Sequence, residues 1–169
     1  MSHGVVVWIT GLPSAGKSTL ARALLAELRS SKTPACLLDG DEVRKALATG
    51  LGYGPAERVA FYETLAGLAA LLAAQGLVVV VPATAHRRAF RERARELAPA
   101  YIEVWVDTPS EECARRDSKG LYEAQRDGRV SGLPGGDADY EPPLAPDVVA
   151  SGAADSAAIG RILERIGPR

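Results

Sequence analysis

A glycine-containing segment near the N-terminus carries the clearest chemistry in the chain. Residues 11–19 fit the pattern G-x-x-x-x-G-K-[ST] of phosphate-binding loops in nucleoside triphosphatases and kinases. Two glycines let the backbone turn and approach a phosphate without a Cβ in the way. The lysine can neutralise the outer phosphates, and the serine hydroxyl can ligate Mg²⁺. The segment predicts a nucleotide site formed by Gly11, Leu12, Pro13, Ser14, Ala15, Gly16, Lys17, Ser18 and Thr19.

The residues on either side give this loop its context. Residues 5–9 form a short apolar run of the buried-strand type, and residues 18–29 carry leucines at helical spacing. Between a strand and a helix, the N–H groups of the loop and of the helix N-terminus form a concave anion site. The alternative is a glycine-containing turn that binds nothing, but strand, loop and helix are all in register.

Two carboxylates follow the next apolar run, at residues 35–38. Because the carboxyl ends of parallel strands share one rim, Asp39 and Asp41 are expected to face the loop. Asp41 is the candidate to orient or deprotonate an acceptor hydroxyl and to reach Mg²⁺ through water. The simpler interpretation is that both residues cap the helix beginning near Glu42. Both interpretations hold if Asp39 is structural and Asp41 is catalytic.

Arginines and one tyrosine are the candidates for binding an acceptor. Arg44 lies one helical turn beyond Asp41, and Arg58 opens a long helix. Planar guanidinium groups suit bidentate recognition of phosphate or sulfate, and Arg88 is a further candidate. For each arginine the alternative is a solvated surface position. Tyr53 offers a ring that stacks on a base or packs half-buried.

Length, composition and charge limit the class of protein. A chain of 169 residues suffices for one α/β domain with a real core. A hydrophobic content of 47% with a net charge of −1 argues against a dedicated nucleic-acid surface. No stretch approaches the roughly 20 apolar residues of a membrane span. The N-terminus runs almost directly into the first predicted strand, so we expect no signal peptide.

Cysteines and histidines give no indication of a metal centre. Cys36 and Cys113 lack metal-like spacing and are expected to be buried thiols in a reducing compartment. His3 and His86 are far apart in sequence, so a zinc site is not expected. We therefore expect a cytoplasmic location.

Alternating strand and helix patterns predict the fold class. Buried-strand runs at residues 5–9, 35–38, 77–81, 102–106 and 148–149 alternate with helical patterns at 18–29, 41–47, 55–74, 87–98, 110–116 and 156–166. This order predicts an α/β fold of three layers, a parallel β-sheet with helices on both faces, as one domain over residues 1–169. Residues 118–146 are rich in Gly, Pro, Asp and Arg and lack apolar periodicity. We interpret them as a mobile lid over the site, the alternative being a disordered segment.

Several further motifs resemble one family, the adenylylsulfate kinases. The resemblance covers nearly the whole chain and rests on the loop at 11–19, Asp-Gly-Asp-Glu-Val-Arg at 39–44, Leu-Gly-Tyr at 51–53, Cys-Ala-Arg-Arg-Asp-Ser-Lys-Gly-Leu-Tyr at 113–122 and Asp-Ala-Asp-Tyr-Glu-Pro-Pro at 137–143. It implies a P-loop kinase fold and transfer of a phosphoryl group from MgATP to the ribose 3′-hydroxyl of adenylyl sulfate. It also implies that Lys119 closes onto the transferred group, that Arg116 contacts the ATP adenine, and that Asp39, Arg44 and Arg58 belong to the acceptor side.

Departures from the family pattern cluster in the acceptor half. Phe61 stands where the family has Asn, and Glu63-Thr64 stand where it has paired arginines. Leu133 replaces a phenylalanine that stacks on the substrate adenine, and Ala85 replaces a serine. Phe61 and Tyr62 are expected to fill space.

The ATP half is therefore intact and the acceptor half is altered. The chain is expected to be a kinase of adenylylsulfate-kinase type that uses ATP and Mg²⁺. Its acceptor is a small molecule, expected to be a nucleotide, and a homodimer is left open. Two alternatives stay open: a kinase of the same fold acting on another nucleotide conjugate or small alcohol, and a nucleotide-binding regulator without catalysis.

Overall fold

Five parallel strands form the centre of the molecule. The computed structural model describes residues 4–48, 50 and 52–168. The strands are β1 Val5–Thr10, β2 Ala35–Leu37, β3 Val78–Pro82, β4 Tyr101–Val106 and β5 Val148–Ala150, arranged in the order β2-β3-β1-β4-β5. Every pairing is parallel, so each connection crosses over the sheet and the strands end at a common rim.

Helices supply the crossovers between these strands. They are α1 Lys17–Ser30, α2 Gly40–Ala46, α3 Pro55–Ala74, α4 Arg88–Leu97, α5 Ser110–Arg116, α6 Leu121–Arg126 and α7 Ser156–Ile166. Pro55 stands at the start of α3, where a missing N–H costs nothing. The Asp155 carboxylate caps α7 by accepting from the N–H of Ala158 at 2.9 Å.

Successive residues of β1 point to opposite faces of the sheet and so build two cores. Val5, Val7 and Ile9 pack with the buried faces of α1 and α7. Val6 and Trp8 pack with α3 and α4. The predicted class, a parallel sheet with helices on both faces, is confirmed.

The segment at residues 118–146 is more ordered than its sequence predicted. It contains α6, which was missed because six residues are too few to show a helical period. The carboxylate of Asp117 organises the start of α6 by accepting from the N–H groups of Tyr122 and Glu123 at 2.9 and 3.0 Å. A bridge between Pro134 and Ala138 closes a second turn.

The predictions about membrane spans and about the cysteines and histidines have different outcomes. Among the described residues, no helix is long and apolar enough to cross a membrane. Cys113 is buried as expected, whereas Cys36 is only partly buried, because its short strand β2 lies at the edge of the sheet. His3 and Leu51, the first residue of the Leu-Gly-Tyr motif, lie outside the described residues.

Candidate active site

The phosphate-binding loop is shaped by contacts that exclude larger side chains. Gly16 has a φ of 107°, and a Cβ there would lie 2.6 Å from the Cβ of Ala153. Thr108, which follows β4, holds the loop because its Oγ1 donates to the Ala15 carbonyl at 2.8 Å. No side chain caps the start of α1. The first N–H groups of that helix are therefore oriented for an anion.

Lys17 lies folded over its own loop. Its Nζ donates to the carbonyl oxygens of Gly11 at 3.0 Å and of Leu12 at 2.7 Å. Burial, followed by repulsion from Lys119, lowers the pKa of Lys17 to about 8. A phosphate entering the loop would replace those carbonyls as partner of the ammonium group.

Ser18 and the two carboxylates form a small cluster beside the loop. The Ser18 hydroxyl donates to Asp39 Oδ2 at 2.8 Å, and Asp39 Oδ1 accepts from the backbone N–H of Asp41 at 3.0 Å. Asp39 is therefore the N-cap of α2, as the simpler interpretation required, while it also contacts Ser18. Asp41 is half-exposed and points to the cleft instead of capping.

The oxygen atoms of this cluster fit a hard cation such as Mg²⁺. Ser18, Asp39 and Asp41 offer a hydroxyl and two carboxylates within one short stretch of the rim. No group of three or more His, Cys, Asp or Glu side chains able to hold a metal occurs among the described residues. One hydroxyl and two carboxylates match the usual coordination of Mg²⁺, which takes one or two carboxylates and completes its shell with water and substrate phosphates.

The segment around α6 already touches the phosphate-binding loop. The Lys119 ammonium forms an ion pair with the Asp41 carboxylate. Ser118 donates its backbone N–H to Ser14 Oγ at 3.1 Å, and the Tyr122 hydroxyl donates to the Pro13 carbonyl at 3.0 Å. The structure thus brings Lys17, Asp41 and Lys119, the three predicted catalytic residues, to one cleft.

This cleft has a volume of about 640 Å³ and runs from the loop to α3. At the loop end it is lined by Ser18, Thr19 and Arg116, the last of which pairs with Glu112 on α5. Toward α3 it is lined by four of the predicted acceptor residues, Arg44, Tyr53, Arg58 and Leu133.

Arg58 and Leu133 form one wall at the far end. Arg58 Nη2 donates to the Gly132 carbonyl at 2.7 Å. Asp137 shapes the same turn, because its carboxylate accepts from the N–H groups of Gly132 and Leu133 at 2.9 and 2.7 Å. These two hydrogen bonds are the main reason that the pKa of Asp137 is lowered. Leu133 is buried and presents an aliphatic surface to the cleft.

The surroundings of Arg88 differ from the acceptor site that the sequence predicted. Its Nε donates to the Pro142 carbonyl at 2.9 Å, and its backbone N–H donates to Glu141 Oε2 at 2.7 Å. Its side chain lines a second cavity of about 400 Å³, with Glu92 and Leu144, away from the phosphate-binding loop. The prediction that Arg88 contacts the acceptor is therefore at odds with its position. Arg88 instead anchors the end of the 118–146 segment.

Sequence reasoning missed two residues of this region. Arg91 is buried and donates to Ala85 O at 2.6 Å and to Glu141 O at 2.7 Å, which fixes the loop after β3. His86, in that loop, lines the cleft. Burial, followed by the charges of Arg58 and Arg87, lowers the pKa of His86 to about 4. The sequence carried no signal for either role, because both depend on contacts between distant segments.

Known proteins are similar to this chain in both sequence and fold. The family model for adenylylsulphate kinase matches residues 3–151. The adenylyl-sulfate kinase of Synechococcus sp. (strain JA-2-3B'a(2-13)) is 42% identical over 154 residues, which is 91% of this chain and 88% of that protein. The adenylyl-sulfate kinase of Pseudomonas aeruginosa is 42% identical over 145 residues, 85% of this chain and 74% of that protein.

A solved structure agrees with this result. The structure of the Mycobacterium tuberculosis APS kinase CysC in complex with AMPPNP and APS superposes with a TM-score of 0.88 at 35% identity, over 96% of this chain and 97% of that chain. A family match over most of the chain, relatives at about 40% identity and a shared fold all agree. The chain belongs to the adenylylsulphate kinase family.

Proposed function

We propose that this protein transfers the γ-phosphoryl group of ATP to the 3′-hydroxyl of adenylyl sulfate. One observation carries the proposal: the loop lysine Lys17, the Asp41–Lys119 ion pair and the arginines Arg44 and Arg58 line a single cleft. A cleft with a phosphate site at one end and guanidinium groups at the other suits a donor triphosphate and an anionic acceptor. Relatives at about 40% identity are adenylyl-sulfate kinases.

The donor half of the site is expected to work through positioning and charge. The N–H groups of the loop and of α1 receive the phosphates, and Lys17 moves from the carbonyls of Gly11 and Leu12 to the outer phosphates. Arg116, at the edge of the cleft, is the candidate for the adenine. Ser18, Asp39 and Asp41 would hold Mg²⁺, which supplies neutralisation of the phosphate charge when bound.

The acceptor half is expected to depend on the exchange of one ion pair. Asp41 is the group that accepts the proton of the attacking hydroxyl or orients it. In the structure its carboxylate pairs with Lys119. When substrates enter, Lys119 is free to turn from Asp41 to the transferred phosphoryl group, which leaves Asp41 for the hydroxyl. Arg44 and Arg58 bind the oxyanions of the acceptor.

The test is turnover of MgATP against a panel of acceptors. With adenylyl sulfate, we expect one 3′-phosphorylated product and one ADP per turnover, measured by chromatography and mass spectrometry. Turnover of another nucleotide conjugate or a small alcohol in preference to adenylyl sulfate would replace this acceptor and keep the kinase. Nucleotide binding without turnover of any acceptor would favour the regulator. The Asp41→Asn variant is the control for background hydrolysis.

Two further properties belong to this proposal. Self-association is supported by a relative, the hexameric APS kinase from Thiobacillus denitrificans, at 25% identity over 97% of this chain and 29% of that one; sedimentation velocity tests it. A cytoplasmic location is supported by the free thiols Cys36 and Cys113, because such thiols persist in reducing compartments. Cell fractionation tests the location.

A further inference from the structure

Two aromatic rings hold Arg44 at the acceptor end of the cleft. Its Cζ lies 3.9 Å from the centroid of the Phe61 ring and 4.5 Å from that of the Tyr53 ring. Both distances are well inside the about 6 Å limit for a cation–π interaction. The Nη1 atom of Arg44 also donates to the Gly52 carbonyl at 3.0 Å. The guanidinium is thus fixed by ring contacts and by a hydrogen bond.

The two rings have different surroundings. Phe61 is 2% exposed and packs in the core beneath α3, with its ring 5.3 Å from that of Tyr62 in an edge contact. Tyr53 is 65% exposed and precedes α3. Phe61 is therefore a rigid surface anchored in the core, whereas Tyr53 remains accessible to a ligand.

A ring contact uses the face of a guanidinium, not its N–H edge. Its five N–H donors lie in the plane of the group, so a ring over its face takes none of them. Arg44 lines the cleft in this arrangement. A cation that is ordered before the ligand arrives avoids the entropy cost of immobilising a long side chain on binding.

We propose that Phe61 is a positioning residue for the acceptor: its ring fixes the Arg44 guanidinium so that its N–H edge meets the oxyanion of the substrate. The role passes through Arg44, and Phe61 supplies no hydrogen bond of its own. It rests on the proposed function for the identity of the acceptor, a sulfated or phosphorylated nucleotide. Phe61 thus does more than fill space.

Kinetics of four single variants and one double variant test the role. Phe61→Leu removes the ring and keeps an apolar side chain, and we expect the KM for adenylyl sulfate to rise about 5- to 30-fold. The KM for MgATP and kcat should change less than about twofold, because the Phe61 ring acts on the acceptor through Arg44 and contacts no residue of the loop in the hydrogen-bond and ring contacts described above. Phe61→Tyr keeps a ring and should restore the acceptor KM. Leu65→Val, one turn along α3 in the core, lowers stability while it keeps the Phe61 ring, and it should leave the KM unchanged.

The fourth single variant, Arg44→Ala, and the double variant Phe61→Leu/Arg44→Ala complete a double-mutant cycle. If Phe61 acts through Arg44, then Phe61→Leu adds less than about twofold to the acceptor KM in the Arg44→Ala background. An equal rise in both backgrounds would overturn the proposal, and so would an acceptor KM that Phe61→Leu does not change.

A spectroscopic measurement tests the same contact without activity. The Nε–Hε resonance of Arg44, identified by its absence in Arg44→Ala, should be displaced by the ring and should move in Phe61→Leu but not in Leu65→Val. Inorganic sulfate, the probe anion, should shift it at lower concentration in the wild type than in Phe61→Leu. A resonance that is the same in both proteins would overturn the inference. If the wild type does not phosphorylate adenylyl sulfate, the proposed function fails, and these spectra still decide the role of Phe61.

Discussion

Arg91 and Glu103 form a buried ion pair that joins α4 to β4. Arg91 Nε donates to Glu103 Oε1 at 2.9 Å, and the two side chains are 1% and 6% exposed. The remaining donors of Arg91 reach the carbonyls of Ala85 and Glu141. One side chain of α4 therefore joins β4 to the loop that carries His86 and to the end of the 118–146 segment.

Removing Arg91 should destabilise the fold because Glu103 would stay buried with less compensation. We expect Arg91→Met to lower the free energy of unfolding by about 3 kcal/mol, the low end for breaking a buried pair, since Arg95 still contacts Glu103 at 3.3 Å. Urea denaturation measures the change. The matched control is Arg93→Met on the same helix, whose ion pair with Glu63 is exposed and should matter little. Equal effects of the two changes would contradict this account.

Lys17 should be essential for turnover and dispensable for folding. We expect Lys17→Ala to lower kcat by at least about 100-fold, because a preorganised charge is lost from the transition state. Its hydrogen bonds in the structure go to carbonyls of its own loop, so the thermal unfolding temperature should change little. Steady-state kinetics and circular dichroism measure the two effects. Near-normal turnover by the folded variant would refute the assignment of the loop.

The pH dependence of activity should report the lowered pKa of Lys17. Above pH 8 the free enzyme loses this positive charge, so kcat/KM for MgATP should fall as the pH rises through about 8. Lys119 contributes to the lowering by repulsion, and therefore Lys119→Gln should move the falling limb to higher pH while it reduces the overall rate. A limb at the same pH in both proteins would show that a different group titrates.

The buried imidazole of His86 should make the fold less stable in acid. Its pKa is about 4 in the folded protein against 6.5 for the ordinary group, so between these values the unfolded chain binds more protons. Stability is then present above about pH 6.5 and falls as the pH drops toward 4, by on the order of 1–3 kcal/mol. Urea unfolding at pH 7 and pH 4.5 should show this loss in the wild type and a smaller one in His86→Gln. The same loss in the variant would exclude His86 as its source.

The 118–146 segment should respond to ligands if it is a lid. It contacts the phosphate-binding loop through Ser118 and Tyr122, whereas Asp127, Gly128 and Arg129 further along the segment are exposed. We expect limited proteolysis to cut it readily in the free protein and slowly with an ATP analogue plus adenylyl sulfate. Cleavage at the same rate in both states would argue against a gating role.

Local patterns were sufficient for the strands, most helices and the turn between β1 and α1. The apolar runs predicted five parallel strands because strands buried on both faces need nearly continuous hydrophobic sequence. The loop at 11–19 could be recognised because one contiguous segment supplies the turn, the lysine and the hydroxyl. Helix α6 was not predicted because it is short and shows no apolar periodicity; hydrogen bonds to the Asp117 carboxylate organise its start.

The acceptor half depended on tertiary contacts. The sequence named Arg44, Tyr53, Arg58 and Arg88 by residue type, but it could not separate a binding position from a surface one. The structure adds their surroundings: the rings of Phe61 and Tyr53 contact Arg44 in the cleft, whereas Arg88 donates to the Pro142 carbonyl and lines the second cavity.

The physical reason is the range of the interactions involved. A phosphate-binding loop is formed by residues that are adjacent in sequence, so its motif can be recognised from the sequence alone. The ion pair of Arg91 with Glu103, the lowered pKa of His86 and the ring contacts of Arg44 each join separate elements. Such contacts exist only once the sheet has brought those elements together, and so the tertiary structure alone decided them.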